Sequence, residues 1–259
     1  MNLSKSLPIF SVLSIVLSST MSANAVTLGS SVDSELSLLV DVSGSVSNTE
    51  FALQRDGYVR AFKEPQLYND FISKGSHGSL AVNLIYWSGS NQQSVAVDWT
   101  KIDSVAASQR FASQIESVSR PFTGSTRPSD AIDFAVREFT NNGFESNYQV
   151  IDVSGDGEGK AHKTLTAREN ALASGIDSIN GLAIGGSSPV EIFYQNNIQG
   201  GEDSFTKNSN NFQVFSGVVK EKLQTEIGAR QEVPESSSIP GLLAVSILGM
   251  GTVCLRKQV

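Results

Sequence analysis

The chain is poor in the residues that build most covalent and soft-metal chemistry. It has one cysteine, Cys254, inside an apolar run near the C-terminus. The rest is thiol-free, which excludes a disulfide framework, a cysteine zinc site and a thiol nucleophile from the folded part. Histidine is nearly as scarce. His77 and His162 are the two, and they stand far apart, which argues against a histidine-rich metal centre or a hydrolytic triad. Positive charge is also short: 19 Lys and Arg face 26 Asp and Glu, for a net charge of −7. That balance lacks the basic footprint of a nucleic-acid binder, so nucleic acid is excluded as a partner. What remains is a chain of 259 residues with thirteen phenylalanines and two tryptophans. That is enough apolar material for the core of one large domain.

The two ends differ from the middle. Residues 1–25 have the layout of a secretory signal peptide: Lys5, an apolar stretch from Leu7 to Leu17, and Ala23-Asn24-Ala25 as the small-residue cleavage site. Residues 26–227 form the expected domain, and 228–238 a polar linker. The segment 239–259 carries an apolar run, Ile239 to Leu255, closed by Arg256 and Lys257. Its length is the lower limit for a membrane span, and its basic end suits a cytoplasmic terminus.

Between the ends, strand and helix patterns alternate. Leu36–Val40 reads as a buried strand. A helix from about Thr49 to Lys63 follows it, started by the capping box Ser47/Glu50 and stopped by Pro65. Ser79–Trp87 and Gln93–Trp99 read as an antiparallel hairpin, and 102–118 as a helix. A helix over Ser129–Phe139 begins at Pro128, where proline is tolerated best. Tyr148–Val153 and Ile179–Ile184 read as strands, with a helix over His162–Ser174 between them. Ser204–Lys207 is a candidate edge strand, and Phe212–Ile227 a final helix. This order predicts an α/β, doubly wound, mostly parallel sheet with one antiparallel edge strand.

Such sheets bind ligands at the carboxyl ends of their strands. Three loops there are rich in oxygen donors: Asp41-Val42-Ser43-Gly44-Ser45, Gly124-Ser125-Thr126-Arg127 and Ser154-Gly155-Asp156-Gly157. Alternating positions 41, 43 and 45 can aim three hard oxygens at one point, a donor type that suits Mg²⁺ or Ca²⁺ rather than zinc or copper. Asp152-Val153-Ser154-Gly155 repeats the first four residues of that motif, so Asp152 and Asp156 both stand as candidates for the second carboxylate. Rival motifs fail. A phosphate loop after the Tyr148 strand would need glycine at Ser154 and a hydroxyl at Ala161. A calcium loop starting at Asp152 would need glutamate at Lys163. Neither Ser43 nor Ser154 sits in a G-x-S-x-G turn.

The three loops, in this order and at strand ends, resemble a von Willebrand factor type A (vWA) domain with a metal-ion-dependent adhesion site. The resemblance spans roughly residues 34–227. It extends, through Gln54-Arg55-Asp56, Val153 to Gly157 and Asn197 to Gly201 before Phe205, to a bacterial vWA family of unknown function. It implies that Asp41, Ser43, Ser45, Thr126 and Asp156 hold one Mg²⁺, with Mn²⁺ or Ca²⁺ as alternatives. It also implies an open coordination position that takes a Glu or Asp carboxylate from a protein partner. The tail has a resemblance of its own. Val233-Pro234-Glu235-Ser236, the apolar span and Arg256-Lys257 are similar to a PEP-CTERM sorting signal, with Ser236 where a second proline is usual. That implies export and recognition by an exosortase. The expected function is a non-enzymatic, exported, metal-dependent protein-binding domain. A structural component of extracellular matrix or biofilm is the alternative, and a metal-dependent hydrolase the third reading.

Overall fold

The architecture is built on β2, Ser34–Asp41, every residue of which is buried. The structure, a computed structural model, describes residues 29–186 and 189–228. The leader, most of the linker and the apolar tail lie outside those residues. Among the described residues no helix is long and apolar enough to cross a membrane.

Before β2 comes a short strand, β1 (Ser30–Ser31). After it come α1 (Asn48–Lys63), a π-helical turn (Leu67–Phe71), a 3-10 turn (Ile72–Lys74), β3 (Leu80–Trp87), β4 (Gln93–Ile102), α2 (Val105–Ser117) and α3 (Pro128–Glu138). Then follow β5 (Phe144–Glu145), β6 (Gln149–Gly155), α4 (Ala161–Ala173), β7 (Ser178–Ile184) and α5 (Pro189–Phe193). A π-helical turn, Tyr194–Ile198, continues α5, and β8 (Gly200–Gly201), β9 (Thr206–Ser209) and α6 (Phe215–Gly228) complete the order.

Seven strands form one sheet in the order β4-β3-β2-β6-β7-β8, with β9 also on β7. β2 pairs in parallel with β3 and β6, and β6 with β7. β4 runs antiparallel at one edge. The expected architecture therefore holds, with one addition: the two-residue β8 also pairs antiparallel to β7. The expected Ser204–Lys207 edge strand is β9, shifted two residues on and parallel to β7. β1 pairs with β5 in a separate two-stranded sheet.

Helices cover both faces, which explains why the central strands read as unbroken apolar runs. Alternate residues feed two cores. Leu36, Leu38, Val40, Leu80, Val82 and Leu84 face the layer of α1, α2 and α6. Leu39, Ile85, Trp87, Ile151 and Val153 face α3, α4 and α5. Full burial of each large apolar side chain contributes about 1.5–3 kcal/mol.

One boundary differs from expectation. Ile102, read as the start of a helix, is the last residue of β4 and pairs with Leu80. The helix starts at Val105, because the Ser104 side chain caps it by accepting from Ala107 N–H at 3.1 Å.

At the amino ends of the strands lies a cavity of about 280 Å³, lined among others by Val32, Asp33, Phe71, Tyr148 and Ile227. The described chain thus enters beside β2 and leaves at the end of α6 near the same pole.

Candidate metal site

At the other pole the order of strands reverses. β2 leads to β3 on one side, while β6 lies on the other. In register, Val40 stands beside Ser154, so the last residues of both strands, Asp41 and Gly155, open into one crevice. Asp41 is fully buried. Its Oδ1 accepts from Ser43 N–H at 2.7 Å, an Asx turn that fixes the loop. Gln54 of α1 donates to the Asp41 carbonyl at 3.1 Å. The capping box forms as expected: Glu50 N–H donates to Ser47 Oγ and Ser47 N–H to Glu50 Oε2. α1 therefore begins directly after the loop and holds both its ends.

The second loop meets the first through its backbone, with Gly44 N–H donating to the Gly124 carbonyl at 2.7 Å. This brings Thr126 Oγ1 within 3.3 Å of Ser43 Oγ. Ser43 Oγ lies 3.0 Å from Ser45 Oγ, and Ser45 Oγ donates to Asp156 Oδ1 at 2.7 Å. Four of the five predicted side chains are thus joined in one chain of oxygens, and Asp41 is tied to it through the Ser43 backbone. Adjacent ligands around Mg²⁺ in octahedral geometry stand about 3 Å apart, and the three oxygen–oxygen spacings bracket that value.

Burial pushes the Asp41 carboxyl up to about 7, with the Asp156 charge adding to the effect and hydrogen bonds from Ser43 opposing it. Asp156 is also raised, by burial first and by the Glu50 charge, while the Ser45 hydroxyl lowers it. Asp41 Oδ2 is buried and meets no hydrogen-bond donor among the described residues, and neither does the Tyr194 hydroxyl. A buried carboxylate oxygen left bare on the loop that carries this chain of hydroxyls and the second carboxylate is a group that a divalent cation would complete. Glycine is needed here for close approach. A Cβ at Gly155 would lie 2.6 Å from Asp41 Oδ2, and one at Gly157 3.0 Å from Thr126 Oγ1.

The two candidate carboxylates on β6 part company. Asp152 points to the opposite face of the sheet from Asp41, into the α1/α6 core, where Lys222 pairs with it at 2.6 Å. Asp156, beyond the strand end, is the one at Ser45. The histidines stay apart and exposed, His77 before β3 and His162 on α4. Ser43 is partnered by hydroxyls, and Ser154 by Tyr58 and the Leu39 carbonyl. Trp87 is fully buried in the α3/α4 core, and Trp99 donates its indole N–H to the Glu138 carbonyl.

One contributor was not visible in the sequence. Arg120, in the loop after α2, donates to the Val42 carbonyl at 2.8 Å and the Ser43 carbonyl at 2.7 Å. It also bonds the Asn48 side chain and lies over the Phe51 ring. It clamps the Asp41–Ser45 loop from outside, and no motif marks it.

The model of a family described as "Protein of unknown function (DUF1194)" matches residues 31–231. No curated protein matches the chain. Among solved structures, proximal thread matrix protein 1 from the mussel byssus aligns with a TM-score of 0.56 at 16% identity, over 77% of this chain and 47% of that one. This chain thus spans about half the length of the mussel protein. Another structure of the same protein, "with zinc occupied MIDAS motif", aligns with a TM-score of 0.52 at 16% identity, over 76% of this chain and 47% of that one. A von Willebrand factor type A protein from Catenulispora acidiphila aligns with a TM-score of 0.52 at 10% identity, over 76% and 43%. At these identities the likeness is one of fold: the mostly parallel sheet with antiparallel pairing at its edges matches these vWA-like neighbours.

Proposed function

We propose the function from the site itself, because the chain belongs to the DUF1194 family and that family's description names no activity. The protein is an exported, metal-dependent protein-binding domain. Asp41, Ser43, Ser45, Thr126 and Asp156 hold one divalent cation, Mg²⁺ by the hardness of the donors, and present it to a Glu or Asp carboxylate of a partner protein. The observation that carries this is the chain of oxygens from three loops, Thr126–Ser43–Ser45–Asp156, tied through the Ser43 backbone to Asp41, whose buried Oδ2 meets no hydrogen-bond donor among the described residues. Two carboxylates balance a dication formally, and five side-chain oxygens leave one of about six positions around Mg²⁺ to water. Mg²⁺ keeps exchangeable waters, so a partner's carboxylate has a position to take. The leader and tail patterns support export.

Calorimetric titration of the domain with Mg²⁺ tests the metal. Binding by the native chain and none by Asp41→Ala is expected. Equal binding by both, or binding by neither, overturns the site. A metal-loaded domain on a solid support is then expected to retain an envelope or matrix protein that EDTA releases.

The name of the mussel relative, a thread matrix protein, favours one second reading: a structural matrix component in which the cation only stabilises the fold. In that case Mg²⁺ raises the melting temperature and EDTA releases no partner.

A further inference from the structure

The core opposite the metal site holds an arrangement that the binding function does not use. Asp152 sits in the middle of β6, flanked in register by Leu38 on β2 and Asn180 on β7. Lys222 of α6 reaches it with Nζ 2.6 Å from Oδ1, and both side chains are fully buried. Glu226, one helical turn on and equally enclosed, pairs with the same Nζ. The Phe205 ring lies 5.5 Å from that nitrogen. Asn180 orients Glu226: its amide N–H₂ donates to Oε1 at 2.9 Å, while its own carbonyl accepts from Phe205 N–H. Asp152 Oδ2 and Glu226 Oε2 meet no hydrogen-bond donor among the described residues.

Three ionised groups in this place would leave a net negative charge in an apolar core. Desolvation of a buried pair can exceed its Coulombic gain, and burial raises the Asp152 carboxyl toward its neutral acid, with the Lys222 charge opposing. A neutral amine is a nucleophile and a neutral acid its electrophile. In water their condensation is held back by solvation of the ions and by the excess of water, and this core removes both. A nitrogen 2.6 Å from one carboxyl oxygen lies about 3–3.5 Å from its carbon, the range of a near-attack geometry.

We propose that Lys222 and Asp152 condense to an intramolecular amide, with Glu226 as the acid–base group that moves the protons. Lys222 first passes one proton to Asp152. The Nζ lone pair then attacks Cγ of Asp152, forming the C–N bond. Glu226 takes a proton from that nitrogen and returns it to the hydroxyl oxygen on Cγ. The C–O bond breaks, its electron pair leaves with the oxygen as water, and the carbonyl re-forms. One water is released, Glu226 is regenerated, and no oxidant or co-reactant is required. Burial, with the Asp152 charge adding to it, pushes Glu226 up to about 7, where one carboxyl both accepts and donates. The product carries no charge at Lys222 or Asp152, so the core loses the ions it encloses.

Tryptic digestion of the folded, full-length protein followed by mass spectrometry decides the matter, and processing at either end does not affect it. The sequence predicts a linked pair, residues 138–160 joined to 221–230, one water lighter than the two peptides together, with no cleavage after Lys222. The unlinked peptides at full mass, with cleavage after Lys222, would mean an ion pair only and overturn the proposal. Glu226→Gln is expected to fold, as judged by circular dichroism, and to stay unlinked. Linkage to the native extent in that variant overturns the role of Glu226. Should it not fold, Asn180→Ala frees Glu226 from its hydrogen bond and is expected to slow linkage, followed by mass spectrometry in freshly synthesised chain. An unchanged rate there overturns the same role.

Discussion

Asp41 is the residue on which two demands would pull apart under the proposed function: buried for rigidity, it would have to be ionised to hold a cation. Burial raises its carboxyl to about 7, above the roughly 3.9 of a free aspartate. A raised carboxyl favours the metal-free fold at acid pH, and that contribution is lost as pH climbs through about 7. Cation binding has the opposite sign, since a proton must leave before the ion can enter. Mg²⁺ affinity is therefore expected to rise roughly tenfold per pH unit from about pH 5.5 and to level off above about 7, as read by calorimetry across that range. A flat profile would show that Asp41 is not a ligand. Arg120 gives a second residue-level expectation. Arg120→Ala removes charge-assisted bonds to the Val42 and Ser43 carbonyls, each worth about 1.5–3 kcal/mol. It should lower the urea midpoint and weaken Mg²⁺ binding together, although it touches no ion.

At the scale of elements, the site depends on where helices start. α1 begins just beyond Ser45 and is held by the reciprocal bonds of Ser47 and Glu50. Ser47→Ala should cost about 1 kcal/mol of stability, seen as a lower denaturation midpoint with the slope unchanged. Elements defined by local chemistry were legible in the sequence. The capping box, Pro128 at the head of α3 and the apolar run of β3 each declare themselves within a few residues. The three oxygen loops were legible for the same reason, since each is a short motif at a strand end. Contacts across long sequence separations were not legible. The repeated Asp-Val-Ser-Gly made Asp152 look equivalent to Asp41. Only strand parity, which turns residue 152 toward α6, and Lys222, 70 positions downstream, show that it belongs to the other core. Ile102 was misplaced because its apolar phase fits both the end of β4 and the first turn of a helix, and Ser104 decides between them.

For the whole molecule, an ion that binds only the folded chain stabilises all of it. At a hundredfold excess over its dissociation constant, Mg²⁺ should add about 2.7 kcal/mol, visible as a rise in melting temperature that EDTA reverses and Asp41→Ala lacks. No such rise in the native chain would leave the oxygen cluster without its ion. The sheet also has a direction. The cavity lined by Val32 and Ile227 marks the pole where the described chain enters and leaves, and the three oxygen-rich loops crown the pole opposite. If the chain is held by either end and gripped at Asp41, the pull runs lengthwise along β2. β2 is zipped to β3 over eight registered residues and to β6 over six. Force in that direction shears the two ladders, so their hydrogen bonds must yield together rather than one after another. A domain loaded this way resists tension far better than one peeled from an edge.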